Sequence, residues 1–143
     1  SAMQGSCLCR SVTFRVLIDA LKIYQCFCSL CQKQSGTASN LATIVADSAF
    51  EFLSGEEQIT TWVKDTGFTS HFCKKCGSPV PNRLRDKPYY WVPVGAFDGD
   101  IKGEVSSHIY TASKPDICLS DQVEQFPEFP DGGIDSHIRK ISG

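Results

Sequence analysis

With 143 residues the chain is long enough to bury one core and too short for a second independent domain, so it reads as a single domain over 1–143. Its formal net charge of −2, from 16 acidic against 14 basic side chains, excludes a nucleic-acid footprint spread over the whole surface. No run of about twenty apolar residues occurs, which excludes a membrane-spanning helix.

The N-terminus lacks the basic-then-apolar pattern of a signal peptide, so the chain is expected in the cytoplasm. Ser1 and Ala2, ahead of Met3, have the look of a tag remnant. Eight cysteines in a reducing compartment point to metal ligation, with zinc first, rather than to disulfides. Two thiols in a Cys-x-Cys pair bridge each other poorly, and both Cys7/Cys9 and Cys26/Cys28 have that spacing.

Taken in order, Ser11 to Ile18 alternates Val12, Phe14 and Val16 against Thr13 and Arg15, the pattern of a half-buried strand. Leu21 to Gln25 is strand-like and delivers Cys26 at its end. Ser29 to Ser35 suits one short helical stretch stopped by Gly36. Strands are also expected at Leu41 to Ala46, Gln58 to Val63, Thr69 to Cys73, Tyr89 to Val94 and Ser106 to Thr111. Turns fall at 54–57, 65–67 and 98–100. Pro93 places its strand at a sheet edge or ends it early. The segment 116–143 is expected to be a loop-rich acidic excursion pinned by Phe126 and Phe129, without a long amphipathic helix.

Three cysteine groups carry the chemistry. Strand residues two apart share a face about 6.5 Å apart, so Cys7 and Cys9 can both bend onto one ion at about 2.3 Å. Cys73-Lys74-Lys75-Cys76-Gly77 has the spacing of a zinc knuckle, with Gly77 free to be left-handed just beyond it. These two pairs make a closed four-thiolate site. Cys26, Cys28 and Cys31 then remain as a trio with one tetrahedral position open, and open positions belong to chemistry. Two other pairings are compatible with the spacing: Cys26/Cys28 joined to Cys73/Cys76, or Cys118 closing the trio. His71, His108 and His137 fit ordinary side-chain roles better than ligation.

Four fragments together resemble one family: Gly5-Ser6-Cys7-Leu8-Cys9; Cys26-Phe27-Cys28-Ser29-Leu30-Cys31-Gln32-Lys33 with Gly36; Phe72-Cys73-Lys74-Lys75-Cys76-Gly77-Ser78-Pro79; and His108-Ile109-Tyr110 with Ser113-Lys114-Pro115. The resemblance is to the glutathione-dependent formaldehyde-activating enzymes, also called the centromere protein V family, and it covers roughly residues 5 to 117. It implies a mainly β, Mss4-like (β-tent) fold of zinc-stapled antiparallel sheets with few short helical turns. It also implies two zinc ions per chain, a structural one on Cys7, Cys9, Cys73 and Cys76 and a second on Cys26, Cys28 and Cys31. The implied activity is that of a carbon-sulfur lyase joining a small thiol such as glutathione to an aldehyde such as formaldehyde, or the reverse.

The chain departs from the family pattern at Leu8 and Phe27, where histidine is frequent, at Arg10 for glycine, at His71 for arginine and at Ile117 for tryptophan. Lys33, Lys74, Lys75, Arg83 and Arg85 are candidates to meet substrate carboxylates, and Tyr90, Trp91 and Phe97 to line a pocket, although solvated surface and core are their commoner roles. A zinc-stabilised binding module without catalysis is the alternative from another class. A nucleic-acid module using the basic run Lys74 to Lys87 is disfavoured by the acidic balance.

Overall fold

The computed structural model describes residues 1–117 and 121–143, so Cys118, weighed above as a fourth ligand, lies outside the described residues. In chain order the elements are β1 (Met3–Ser6), β2 (Thr13–Val16), β3 (Leu21–Cys26), α1 (Ser29–Ser35), β4 (Asn40–Ala46), β5 (Phe50–Ser54), β6 (Ile59–Val63), β7 (Thr69–Cys73), β8 (Asn82–Arg83), β9 (Tyr89–Pro93), β10 (Gly103–Ile109) and α2 (Gly133–Ile141). They form a three-stranded sheet β1-β2-β5, a five-stranded sheet β10-β3-β4-β9-β8 and a two-stranded ribbon β6-β7. The fold is mainly β with two short helices, as the strand patterns and the family resemblance led us to expect.

Alternation explains which faces are buried. In β2, Phe14 and Val16 point inward while Thr13 and Arg15 stay partly wet. In the larger sheet Leu21 and Ile23 of β3, Val45 of β4 and Val92 of β9 join Phe14, Phe50 and Phe97 in one core. Phe14 stacks on Phe50 at 5.8 Å and meets Phe97 edge-on at 5.4 Å. Each such side chain contributes about 1.5–3 kcal/mol by leaving water. A second, smaller core consists of Cys7, Val12, Cys73 and Val80, so two of the thiols are themselves packing groups.

Three features depart from the sequence reading. The larger sheet is mixed, because β10 runs parallel to β3 while its other pairings are antiparallel. Alternation fixes which face a strand buries but not which neighbour it takes. The strands β1 and β5 are four and five residues long and carry no long alternating run, so their partners define them. The acidic segment, expected to be loop-rich, ends in the nine-residue helix α2. Asp135 in its first turn and Arg139 and Lys140 in its last suit the helix dipole. Phe126 and Phe129 meet only their own segment in these contacts, Lys140 lying over the Phe126 ring at 5.9 Å and His137 meeting Phe129 at 5.4 Å, and both rings stay exposed. Pro93 ends β9 opposite Ala42, with β8 on the far side, so it terminates a strand inside the sheet.

Candidate metal centres and the cavity beside them

The first thiol group forms where the loop leaving β1 meets the turn leaving β7. Cys7, Cys9, Cys73 and Cys76 have their sulfurs within 4.8 Å of one another. Cys9 Sγ lies 3.7 Å from Cys7 Sγ and 3.8 Å from Cys73 Sγ. Four sulfurs placed tetrahedrally at about 2.3 Å from an ion stand about 3.8 Å apart, so these two separations match a zinc site and the donor set fits the ion.

The surroundings favour thiolates. The Val12 N–H points at Cys7 Sγ at 3.3 Å, and the Ser11 and Ser78 hydroxyls lie 3.2 and 3.3 Å from Cys9 and Cys76. Ser78 accepts the Leu8 N–H at 3.0 Å, which leaves its own proton for the Cys76 sulfur. The Ser78 hydroxyl, and after it the Ser78 N–H, hold the Cys76 thiol down at about 5, and Ser11 likewise lowers Cys9. Burial pushes the Cys7 thiol up. Gly77 adopts φ 77° and donates its N–H to the Cys73 carbonyl at 2.7 Å, closing the knuckle.

The second group consists of Cys26 at the end of β3, Cys28 at the N-cap of α1 and Cys31 within its first turn, with sulfurs again within 4.8 Å. Cys28 acts as the cap itself: its sulfur accepts the Cys31 N–H at 3.3 Å, the place usually taken by Ser or Asp. Gly36, at φ 70°, ends the helix by donating to the Gln32 carbonyl at 2.8 Å. Burial, and then the nearby Cys26 and Cys28 sulfurs, push the Cys31 thiol far above its ordinary value. Burial also acts upward on Cys28, but the Cys31 N–H and the neighbouring thiols outweigh it and bring that thiol below the usual range. Among the described residues only these two sets of side chains could hold a metal ion by proximity.

Tyr24 and Cys26 are two apart on β3 and share its face. Cross-strand register puts Asn40, opposite Cys26, and Trp91 of β9 on that same face. The Trp91 N–H donates to the Tyr24 hydroxyl at 2.9 Å. Burial raises the Tyr24 hydroxyl, opposed by the Trp91 bond and reinforced by the three cysteines, so it stays neutral at physiological pH. Trp91, Pro93 and Asn40 of this face border a cavity of about 700 Å³, whose other walls include Gln34 and Ser35 of α1 and Cys7 and Ser78 at the four-thiol group.

The remaining sequence candidates separate clearly. Of the three aromatics, only Trp91 lines this cavity; Tyr90 stacks on Phe50 at 4.1 Å and Phe97 is buried in the core. Lys33 borders a smaller cavity with Trp62 and Lys64, Arg83 is 3.3 Å from Asp47, and Lys74, Lys75 and Arg85 are exposed. Phe27 is 1% exposed, flanked by His108 edge-on at 5.7 Å and Lys114 at 5.3 Å, and so packs beneath the trio. Leu8, by contrast, is 83% exposed at the cavity rim. His71 faces Thr61 Oγ1 at 3.1 Å, and burial lowers its pKa. Tyr24, Ser11 and Ser78 escaped the sequence reading because hydroxyl residues near a cysteine carry no spacing rule; the Cys-x-Ser repeats Cys9–Ser11 and Cys76–Ser78 were the available signal.

Comparison with known proteins agrees with this geometry. Residues 2–113 match the family described as glutathione-dependent formaldehyde-activating enzyme. The chain belongs to this family. A Halomonas elongata protein named "Putative glutathione-dependent formaldehyde-activating enzyme" is 28% identical, with 92% of this chain and 91% of that protein covered. A Rhodobacter sphaeroides protein of known crystal structure shares the fold, with a TM-score of 0.55 and 24% identity over 71% of this chain and all of its own. Among the described residues no helix is long and apolar enough to cross a membrane.

Proposed function

We propose that this member of the glutathione-dependent formaldehyde-activating family adds a small thiol to an aldehyde such as formaldehyde, or reverses that addition, at a zinc ion held by Cys26, Cys28 and Cys31. A structural zinc on Cys7, Cys9, Cys73 and Cys76 completes the assignment. The reading rests on one observation: among the described residues seven thiols divide into a group of four, enough to close a tetrahedron, and a group of three, one ligand short of it.

Zinc bound at the trio supplies a fourth position that favours a substrate thiol as its thiolate. The protein's part is to hold that thiol and manage the proton. Cys28 is fixed by the Cys31 N–H, and Cys26 by its place at the end of β3, so two of the three sulfurs sit on rigid elements. Tyr24 accepts a hydrogen bond from Trp91, which leaves its own proton for the aldehyde oxygen. In the forward direction a carbon-sulfur bond forms, the carbonyl π bond breaks, Tyr24 gives its proton to the oxygen, and the proton that the thiol released on binding returns through solvent to Tyr24, giving an S-hydroxymethyl adduct. Free thiols at both groups require a reducing compartment, in keeping with the cytoplasm.

The test is a zinc count paired with carbon-13 formaldehyde NMR. The wild type should carry two zinc ions and form the adduct faster than the uncatalysed mixture. Cys31→Ala should keep one ion, stay folded and lose the acceleration. Wild-type protein holding a single ion, or a second ion ligated by a fourth protein sulfur, would favour a binding module over an enzyme.

A further inference from the structure

We propose that the cleft between α1 and the β6–β7 ribbon seats the glycyl carboxylate of a glutathione-type thiol, with Lys33 and Lys64 as its specificity-determining residues. This rests on the reading above that such a thiol is bound at the trio. The cleft has two walls and a volume of about 280 Å³. From α1 come Leu30, Lys33 and Gln34, three and four residues apart and so on one side of the helix. From the ribbon come Trp62, Lys64, Phe68 and Ser70. Trp62 stands opposite Ser70 in the ladder, and the Lys64 N–H donates to the Phe68 carbonyl at 2.8 Å across the turn, so all four share one face.

The charge of the lining decides which group it takes. Two lysines line the cleft, with no acidic side chain among the described residues. Lys33 is exposed and joins no ion pair among those residues, while Lys64 lies 4.0 Å from Asp65, whose side chain is 91% exposed and well screened by water. The cleft therefore attracts an anion. It disfavours a carboxylate with an ammonium beside it, because the lysines repel that third cation at short range. Glutathione has one carboxylate of each kind: the glutamyl one adjoins the α-ammonium, and the glycyl one has no cation next to it. Reach fits as well. The trio's sulfurs do not line the cleft, and the ligand joins the two across the first turn of α1. Cys31 and Lys33 are two apart on that helix, about 5.4 Å between Cα atoms. In an extended chain the glycyl carboxylate lies about 5–6 Å from the substrate's own cysteine Cα, and the lysine side chain spans the rest. Gln34 Oε1 accepts the Asn40 amide N–H at 3.1 Å, which leaves the Gln34 N–H groups for a peptide carbonyl of the ligand.

The experiment uses full-length protein loaded with cobalt in place of zinc, whose absorption bands shift when a thiolate joins the ion. Glutathione, its glycyl monoethyl ester, its glutamyl monoethyl ester and 2-mercaptoethanol are titrated in parallel. The glycyl ester should bind about fivefold or more weakly than glutathione, and the glutamyl ester about as tightly as glutathione. The double variant Lys33→Gln/Lys64→Gln changes only side chains at the cleft mouth; it should keep both metal ions and the 2-mercaptoethanol response while losing the difference between glutathione and its glycyl ester. A glycyl ester that binds the wild type as tightly as glutathione, or a double variant that still tells the two apart, overturns the assignment of the cleft alone. Weakening confined to the glutamyl ester overturns the choice of carboxylate. If even 2-mercaptoethanol fails to shift the bands, the thiol reading of the trio falls and takes the cleft with it.

Discussion

Cys73→Ser and Cys31→Ser are the same chemical change, yet they should have very different consequences for stability. Cys73 is fully buried and joins the β7 turn to Cys9, 64 residues away in sequence. Treated as a cross-link, an ion spanning that separation removes about 4 kcal/mol of chain entropy from the unfolded state. Cys26 and Cys31 are five residues apart, and the same relation gives about 2 kcal/mol. The first loss is a large share of the ~5–15 kcal/mol that holds a domain of this size folded. The second is absorbed, because Cys31 lies in a helix already capped by Cys28 and Gly36. The gap of about 2 kcal/mol corresponds to about 4–8 °C in melting temperature. Thermal unfolding of zinc-replete variants, with metal content measured on the same samples, reads both quantities. Equal drops in melting temperature, or two ions retained in Cys73→Ser, would refute the division into a structural and an open site.

Other substitutions probe the supports of the site and the core. Ser78→Ala removes the hydroxyl that chiefly lowers Cys76 to about 5 from its ordinary 9.0. A thiol depressed in the folded state adds stability that is whole above pH ~9 and fades as the pH falls through about 5. The variant should therefore release zinc at higher pH and bind it about 10–100-fold more weakly, as chelator competition at stepped pH would show. Phe14→Ala removes a ring that is 1% exposed between Phe50 and Phe97, and should cost about 3–5 kcal/mol in urea unfolding. Arg10 holds a left-handed φ of 66°, where the family commonly has glycine. Arg10→Gly should change stability by less than about 1 kcal/mol, since ~1–2 kcal/mol of relief is offset by glycine's entropy. Arg10→Val should be clearly destabilising in the same urea assay.

The site was legible in sequence to the extent that metal chemistry is a matter of short spacing. Cys-x-Cys and Cys-x-x-Cys fix which sulfurs can converge locally, and Gly36 and Gly77 announce the left-handed positions that end α1 and close the knuckle. Strand alternation likewise predicted the buried face of β2, because side-chain period and burial are local properties. The C-terminal helix was missed because nine residues with Ile134, Ile138 and Ile141 give too short a periodic signal against an acidic, proline-rich background.

Spacing alone left several pairings of the thiol groups open. Convergence of Cys7 and Cys9 with Cys73 and Cys76 depends on a contact across more than sixty residues, and only packing of Val12 and Val80 around those sulfurs brings it about. The same holds for the parallel seat of β10 beside β3, and for the Trp91–Tyr24 bond, which joins residues 67 apart. The sequence by itself determined the ligand chemistry and the local turns that present it. The tertiary structure decided which sulfurs converge, and with it which side chains line the cavity over the Trp91 face. That division follows from range: ligand type and turn geometry are set within a few residues, whereas the charge of a cavity is the sum of side chains that only folding brings together.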